Sequence, residues 1–297
     1  MIGALGTTLC FAFNAIFANR SAQRLGSNPA NLARLLVAVL VLGLWAQLYG
    51  DGVRGASAPW FFISGLAGFG LGGVAMFQAL PRLGSPLAML IVQCGSAIAA
   101  AAVEWYWLGT QLTLPQLSFV AVTLSGVIVG LLPRSLPHVA GPVLRAGIAW
   151  AVLSAAGQGL GAVISRKAFQ VAAIAHESPD AGTTAYQRAL GGVCVAALVV
   201  IVARVLRHAR NGKPPGSSGR AWPWVLANAL TGPVLGVTCF QWALSTTPAG
   251  IVQPIVATAP LVTIPLAMWL EQARPRWLYY VGTLLAVAGV CGLFATR

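Results

Sequence analysis

Apolar runs close to 20 residues long follow one another along almost the whole chain. An α-helix needs about 20 residues to cross the ~30 Å hydrocarbon core of a bilayer. Only helices and closed barrels satisfy all their backbone hydrogen bonds there, and barrel strands alternate apolar with polar residues over about ten positions. The continuous runs therefore predict an all-α integral membrane protein. We expect ten transmembrane helices, at about 2–20, 31–49, 59–80, 85–107, 114–132, 145–168, 182–205, 222–245, 249–270 and 276–295.

Composition and charge agree with a bilayer environment. The chain is 58% hydrophobic and 8% charged, against roughly 25% charged residues in globular domains. Its net charge of +13 comes from basic residues in loops and at helix ends, where they set topology and meet anionic lipid. We expect these basic residues to contact the lipid bilayer and not nucleic acid.

The first apolar run is expected to be retained as a helix. A cleavable signal needs a basic region ahead of its apolar run, whereas this run has none and carries Asn14 in its middle. The five cysteines lie singly, without the spacing of metal ligands. We expect neither a metal nor a cofactor.

One sequence pattern occurs twice. MFQALPRLGSPLAMLIV runs from Met76 to Val92, and CFQWALSTTPAGIVQPIV runs from Cys239 to Val256. Each joins the third and fourth helices of a five-helix set, so we predict repeats at 1–134 and 145–297, with a linker at 135–144 and a basic loop at about 206–221. Because five is odd, the second repeat enters the membrane from the opposite face. Such inverted repeats are typical of alternating-access transporters, whose substrates bind near the midplane between the halves.

The paired FQAL and FQWAL segments and the stretch AAVEWYWLGTQLTLPQLSFVAVTLSGVIVG resemble the EamA family of the drug/metabolite transporter (DMT) superfamily. The resemblance covers nearly the whole chain and marks a superfamily rather than a substrate. It implies a multi-pass exporter of small metabolites in the bacterial inner (plasma) membrane. Neutral and aromatic amino acids are the substrate class that it implies.

Polar side chains within the helices are the candidate substrate-binding residues, because an unpartnered polar group in hydrocarbon costs several kcal/mol. Aromatic side chains beside them are expected to complete an adaptable pocket. The alternative for each polar residue is an interhelical hydrogen bond. The candidates are Asn14, Phe17, Phe77, Gln78, Gln93, Trp150, Gln158, Phe240, Gln241 and Gln253.

Prolines and two arginines complete the list of candidates. Prolines interrupt helices, so Pro86, Pro254, Pro260 and Pro265 are expected to form hinges. Arg34 and Arg188 occupy matching places in the second helix of each half. The sequence leaves two alternative partners for these arginines, a carboxylate on the substrate or a lipid phosphate.

The sequence favours a transporter over an enzyme, because it contains no HExxH, no GxSxG and no carboxylate pair within one helix. An intramembrane enzyme is the competing class. All five carboxylates are predicted in loops or at helix ends, and proton coupling normally uses a titratable group within the membrane. We therefore expect facilitated transport. The alternative is a proton-coupled drug/metabolite antiporter that uses Glu104 or Glu271.

Membrane orientation stays open at the level of sequence. Of the 18 lysines and arginines, 13 fall on the face of the odd-numbered loops, so the positive-inside rule places both termini outside. The family resemblance implies termini in the cytoplasm. A monomer and a dimer are both compatible with the sequence.

Overall fold

The computed structural model describes residues 1–132, 141–209, 221–271 and 276–296, without side-chain detail at 85–86, 207–209 and 266–271. Its regular structure is helical, as predicted, and nine helices are long and apolar enough to span a membrane, with a shorter apolar segment at Ala249–Pro265. We label ten segments along the chain. They are α1 (Ile2–Leu25), α2 (Ser27–Leu48), α3 (Ala58–Leu83), α4 (Ser85–Val103), α5 (Leu114–Leu131), α6 (Gly141–Ile174), α7 (Ala181–Ala209), α8 (Trp222–Thr246), α9 (Ala249–Val256 with Ala259–Glu271) and α10 (Trp277–Ala295).

The first connection is much shorter than the sequence suggested. We expected a loop at 21–30, but α1 continues to Leu25 and α2 begins at Ser27. Gly26 alone makes the turn, with a φ of +84° that suits glycine because it has no Cβ. The polar residues that indicated a loop therefore belong to the ends of two helices.

A π-helical stretch, Glu104–Leu108, directly follows α4, and two more occupy corresponding places in the two halves. These two are Leu66–Gly72 in α3 and Leu230–Val234 in α8. A π-helical turn widens the helix locally and is frequent at functional sites. Glycines favour the first stretch and Pro233, which has no backbone N–H, favours the second. Both irregular stretches lie in the third helix of a half.

The proposed hinge prolines occupy different positions in their helices. Pro254 and Pro265 lie inside the two pieces of α9, and Pro260 lies in the first turn of the second piece, just after the break at residues 257–258. Pro86 lies in the first turn of α4, where proline is tolerated without a kink. A hinge role remains a prediction for all four, with the helix break giving it support in α9.

The two halves pack in a crossed arrangement. Helix α1 packs on α8 and α9, and α6 packs on α3 and α4. The first helix of each half thus lies against the third and fourth helices of the other half. Helices α5 and α10 pack against each other, with Gly126 and Gly282 at their closest approach.

The ends of the helices define two faces. We call the face at the start of α1 and the end of α10 the terminal face, and the opposite one the basic face. The carboxylates whose side chains are described, Asp51, Glu104, Glu177 and Asp180, all lie towards the terminal face. Residues 135–140 of the predicted linker, most of the 206–221 loop and the side chain of Glu271 lie outside the described parts. Residues 141–144 of the predicted linker belong to α6.

Asp180, on the terminal face, links the end of α2 to the start of α7. Its carboxylate accepts hydrogen bonds from the backbone N–H groups of Gly182 (2.9 Å) and Thr183 (3.0 Å) and from Trp45 Nε1 (2.9 Å). Burial acts to raise the pKa of Asp180, but the hydrogen bonds from Thr183, Trp45 and Gly182 lower it overall. Because the folded-state pKa is depressed, the stabilisation exists above the ordinary aspartate pKa and is lost as pH falls through the folded value.

Asp180→Ala is therefore expected to lower the free energy of unfolding by about 1 kcal/mol near neutral pH, as for other helix caps. This loss of free energy of unfolding should become smaller as pH falls below about 4. Melting temperatures of the detergent-purified variant and of Asp51→Ala, an exposed aspartate on the same face, would measure it. An equal effect of the two substitutions at neutral pH would contradict the cap assignment.

Candidate substrate site

A central cavity lies between the two halves, lined by side chains from α1, α2, α3, α4, α6, α7, α8 and α9. Its volume is about 100 Å³, within about 990 Å³ of atom-free space that includes open solvent. The π-helical stretches contribute Gly68 and Phe69 from one half and Gly232 and Pro233 from the other. The helices that pack across the two halves, together with α2 and α7, thus surround the cavity.

Six of the predicted substrate-binding residues line this cavity. The polar members are Asn14 on α1, Gln93 on α4, Gln158 on α6 and Gln253 on α9, and the aromatic members are Phe77 and Phe240. They come from six helices and both halves. The structure therefore brings together residues that lie far apart in the sequence, and their role in binding remains a prediction.

Four predicted residues lie elsewhere. Phe17 contacts Trp224, with 6.0 Å between ring centroids, and Trp150 packs on a separate apolar cluster. Gln78 donates to Asn28 Oδ1 (3.0 Å) and accepts from Arg82. Gln241 is fully buried behind the cavity wall. Neighbours on a helix point about 100° apart, which explains why Phe77 and Phe240 line the cavity while Gln78 and Gln241 do not.

Two buried arginines also line the cavity, and they are related by the repeat. Arg34 and Arg188 are each the eighth residue of their helices, counted from Ser27 and from Ala181. Their exposed fractions are 8% and 5%. The sequence identified the pair, but left a contact with lipid phosphate as an alternative, which their burial beside the cavity disfavours.

Each arginine contacts the phenylalanine of the duplicated Phe-Gln pair in its own half. Arg34 Cζ lies 5.0 Å from the ring centroid of Phe77, and Arg188 Cζ lies 5.4 Å from that of Phe240. Arg34 Nε donates to Asn31 Oδ1 (3.0 Å), and Arg188 Nη1 donates to Gln241 Oε1 (3.3 Å). The described neighbours of the two guanidinium groups are thus aromatic rings and neutral amides.

The described part of the cavity wall has no carboxylate to balance these charges. Some buried polar atoms there also lack a hydrogen-bond partner within the protein, among them Arg188 Nε and Asn14 Oδ1. Such atoms are uncommon in folded proteins, where buried polar groups are nearly always satisfied. The site therefore offers an unused donor and an unused acceptor beside two positive charges.

Glycines make room for these side chains. A Cβ at position 68 would lie 2.5 Å from Arg188 Nη2, and one at position 232 would lie 2.5 Å from Asn14 Oδ1. A Cβ at position 73 would lie 3.7 Å from Arg34 Nη2. Gly68 thus lets the guanidinium group of Arg188 approach the backbone of α3, whereas a Cβ at position 73 would make only an ordinary contact with Arg34.

On the side of the terminal face, the protein is closed by a polar network and by a buried apolar cluster that includes Met1, Ala4, Leu244 and Val252. Glu104, at the end of α4, lies 3.6 Å from Arg166 on α6 and accepts from the backbone N–H of Gly250 on α9 (2.8 Å). Arg166 donates to the carbonyl oxygens of Leu244 (2.6 Å) and Ser245 (3.3 Å). The described partners of Glu104 thus join both halves at this end of the protein.

Comparison with known proteins identifies the family. The EamA-like transporter family model matches residues 1–132 and 145–295. The chain belongs to the EamA-like transporter family. The EamA resemblance seen in the sequence is thereby confirmed, and this EamA-like transporter carries one cavity arginine in each matched segment.

Structural comparison supports the fold of the EamA-like transporter. A solved crystal structure described only as that of a protein superposes with a TM-score of 0.76 at 17% identity, over 99% of this chain and 96% of the other. At this identity the likeness concerns the fold alone. A search of curated proteins finds no match.

Proposed function

We propose that this protein exports small carboxylate-bearing metabolites by alternating access, with the central cavity as the substrate site. The observation that carries the proposal is the pair Arg34 and Arg188, supplied by equivalent helices of the two halves and buried beside one cavity. A site built from both halves can be exposed to either face when the halves rock against each other. The bacterial inner membrane is the proposed location.

Neutral and aromatic amino acids, the class implied by the family resemblance, are the first candidates for the cargo. Their carboxylate would pair with an arginine, because guanidinium and carboxylate groups form strong charge-assisted hydrogen bonds. Phe69, Phe77 and Phe240 would contact an apolar side chain. Asn14 and Gln158 would accept or donate hydrogen bonds according to the solute.

The closed terminal face supports a direction for access. The cavity residues on α1 and α3 extend towards the helix ends of the basic face, as far as Ala18 and Leu80. Basic residues mark the cytoplasmic side of membrane proteins. We therefore propose that this conformation receives substrate from the cytoplasm, with both termini outside.

Facilitated transport fits the placement of the described carboxylates. Glu104 belongs to the closed end, where Arg166 and Gly250 bind it, and does not line the cavity. Export would follow the concentration gradient of the metabolite. In proteoliposomes without a substrate gradient, a pH difference should cause no accumulation, whereas uphill uptake would favour the proton-coupled alternative through Glu104 or Glu271.

Substituting Asn14 with Leu is expected to reduce counterflow of labelled substrate at least tenfold, because an apolar side chain would replace the unpartnered Oδ1 in the cavity wall. Asn19→Leu is the matched control. It makes the same change on the same helix, at a residue outside the cavity lining that contacts Gln23. Counterflow in proteoliposomes against a panel of amino acids and related acids would measure the effect.

Equal rates for the two variants, or loss of folded protein only in Asn14→Leu, would assign Asn14 to helix packing. Absence of counterflow by the unmodified protein with every solute in the panel would contradict the transport proposal. Turnover of a solute in detergent would favour the competing enzyme class.

A further inference from the structure

We propose that the preferred solute is a net anion whose carboxylate or phosphate group is bound by Arg34 and Arg188, and that zwitterions bind more weakly. The inference rests on the proposed function, because it assigns a substrate class to the same cavity. It goes further by separating organic acids and phosphate esters from amino acids. The charge balance of the cavity wall is its starting point.

No carboxylate in the described cavity wall balances the positive charge of Arg34 or Arg188. Arginine stays protonated at any relevant pH, and burial of a charge without an opposite charge is strongly unfavourable. The described partners are the neutral amides of Asn31 and Gln241 and aromatic rings. Elsewhere the protein does pair a partly buried arginine, since Arg166 has Glu104. The cavity is therefore the place where a bound anion would supply the missing charge.

The donors are suited to an oxyanion. Arg188 Nη1 is used by Gln241, while Nε is buried without a partner. The guanidinium edge offers parallel N–H groups that match the two oxygens of a carboxylate or phosphate. The π-helical stretch at Gly68 gives this end of the side chain its room.

Both arginines line the same cavity, and their guanidinium groups lie against the same helix, near Gly68 and Gly73 of α3. A solute with one oxyanion would bind at one arginine within the field of the other. A solute with two anionic groups, such as a dicarboxylate, would contact both.

An ammonium group would find an acceptor such as Asn14 Oδ1 in this wall but no opposite charge. A cation inside a protein is stabilised by carboxylates or by aromatic faces. The described wall provides no carboxylate, and the rings of Phe69, Phe77 and Phe240 already lie under guanidinium groups. The ammonium of an amino acid would also be repelled by two nearby positive charges. Removing this group from an otherwise identical solute should improve binding.

Matched solutes test this directly in detergent solution, where transport is not needed. Isothermal titration calorimetry would compare 3-phenylpropionate with L-phenylalanine, which differ only in the ammonium group, and glycerol 3-phosphate with glycerol. Succinate tests two carboxylates. We expect the anion of each pair to bind at least tenfold more tightly, and the relative affinities of succinate and glycerol 3-phosphate to distinguish a carboxylate from a phosphate preference.

Variants assign the effect to the arginines. Arg34→Gln and Arg188→Gln should each weaken anion binding at least tenfold and reduce the discrimination against L-phenylalanine. Lysine at the same positions should restore part of the affinity, because it keeps the charge but not the planar fork. Arg145→Gln is the control, since Arg145 is exposed near the start of α6, away from the cavity lining.

A second pair of variants keeps both charges. Gly68→Ala should displace the end of Arg188 and weaken anion binding, whereas Gly141→Ala, with nothing within 4 Å of the new Cβ, should not. This pair keeps the proposal testable if the glutamine variants do not fold.

The outcomes separate the two proposals. Tighter binding of L-phenylalanine than of 3-phenylpropionate, or anion affinity unchanged in both Arg→Gln variants and in Gly68→Ala, would overturn the anion preference even if amino acids were transported. Chloride binding that no organic anion displaces would also overturn it. Arginine-dependent binding of organic anions without counterflow in proteoliposomes would support the anion site and contradict the transport function.

Discussion

Glu104→Gln is expected to shift the protein towards states that are open at the terminal face. The carboxylate is 2% exposed and joins α4 to Arg166 on α6 and to Gly250 on α9. Removing one partner of a buried ion pair costs about 3–5 kcal/mol, and the partial exposure of Arg166 and its two carbonyl acceptors reduce this to about 2 kcal/mol. Such a change raises the open population about 30-fold.

Labelling of a cysteine introduced at Val252, which is fully buried in the closed apolar cluster, would report this opening. The five native cysteines would first be replaced, and a membrane-impermeant maleimide would be applied from the terminal face. Glu177→Gln is the matched control, because Glu177 lies on the same face but bonds Ala56 and Ser57 instead. Equal labelling rates in the two variants would show that Glu104 does not hold the terminal face closed.

Gly282→Leu is expected to prevent formation of a stable protein. A Cβ at position 282 would lie 2.5 Å from both the carbonyl oxygen of Gly126 and Cα of Gly130, so even the first atom of a side chain overlaps the backbone of α5. Forcing the helices apart should cost about 3 kcal/mol or more.

The yield of monodisperse protein by size-exclusion chromatography would measure this effect, with Gly141→Leu as the control at an open position. Normal yield and melting temperature for Gly282→Leu would show that α5 and α10 do not need this close approach. The comparison is informative because both substitutions add the same apolar side chain to a glycine of a membrane segment.

The sequence predicted the membrane class and the ten segments well, because length and hydropathy act through the bilayer and need no tertiary information. It predicted the α1–α2 connection badly. Polar residues around Gly26 looked like a loop, yet polar composition at a helix end indicates contact with water, not loss of helical structure. The single glycine with positive φ was enough to reverse the chain direction.

Prediction of the site was limited by which side of each helix faces the cavity. The Phe-Gln pairs were correctly singled out as repeated, but a repeated pair does not reveal which member lines the cavity. Phe77 and Phe240 line the cavity, whereas Gln241 lies outside the lining and accepts a hydrogen bond from Arg188. The partners of Glu104 were also beyond sequence reasoning, because Arg166 and Gly250 are brought to it by packing between the halves.

The crossed packing of α1 on α8 and α9, and of α6 on α3 and α4, has a consequence for how the protein is made. The ribosome completes the amino-terminal half first, but α1 then lacks the surface on which it will finally lie. Helix α6, by contrast, finds α3 and α4 already inserted when it emerges. Assembly should therefore proceed in two unequal stages, with α1 reaching its place only after α8 and α9 have been inserted, although it is the first helix to be synthesised.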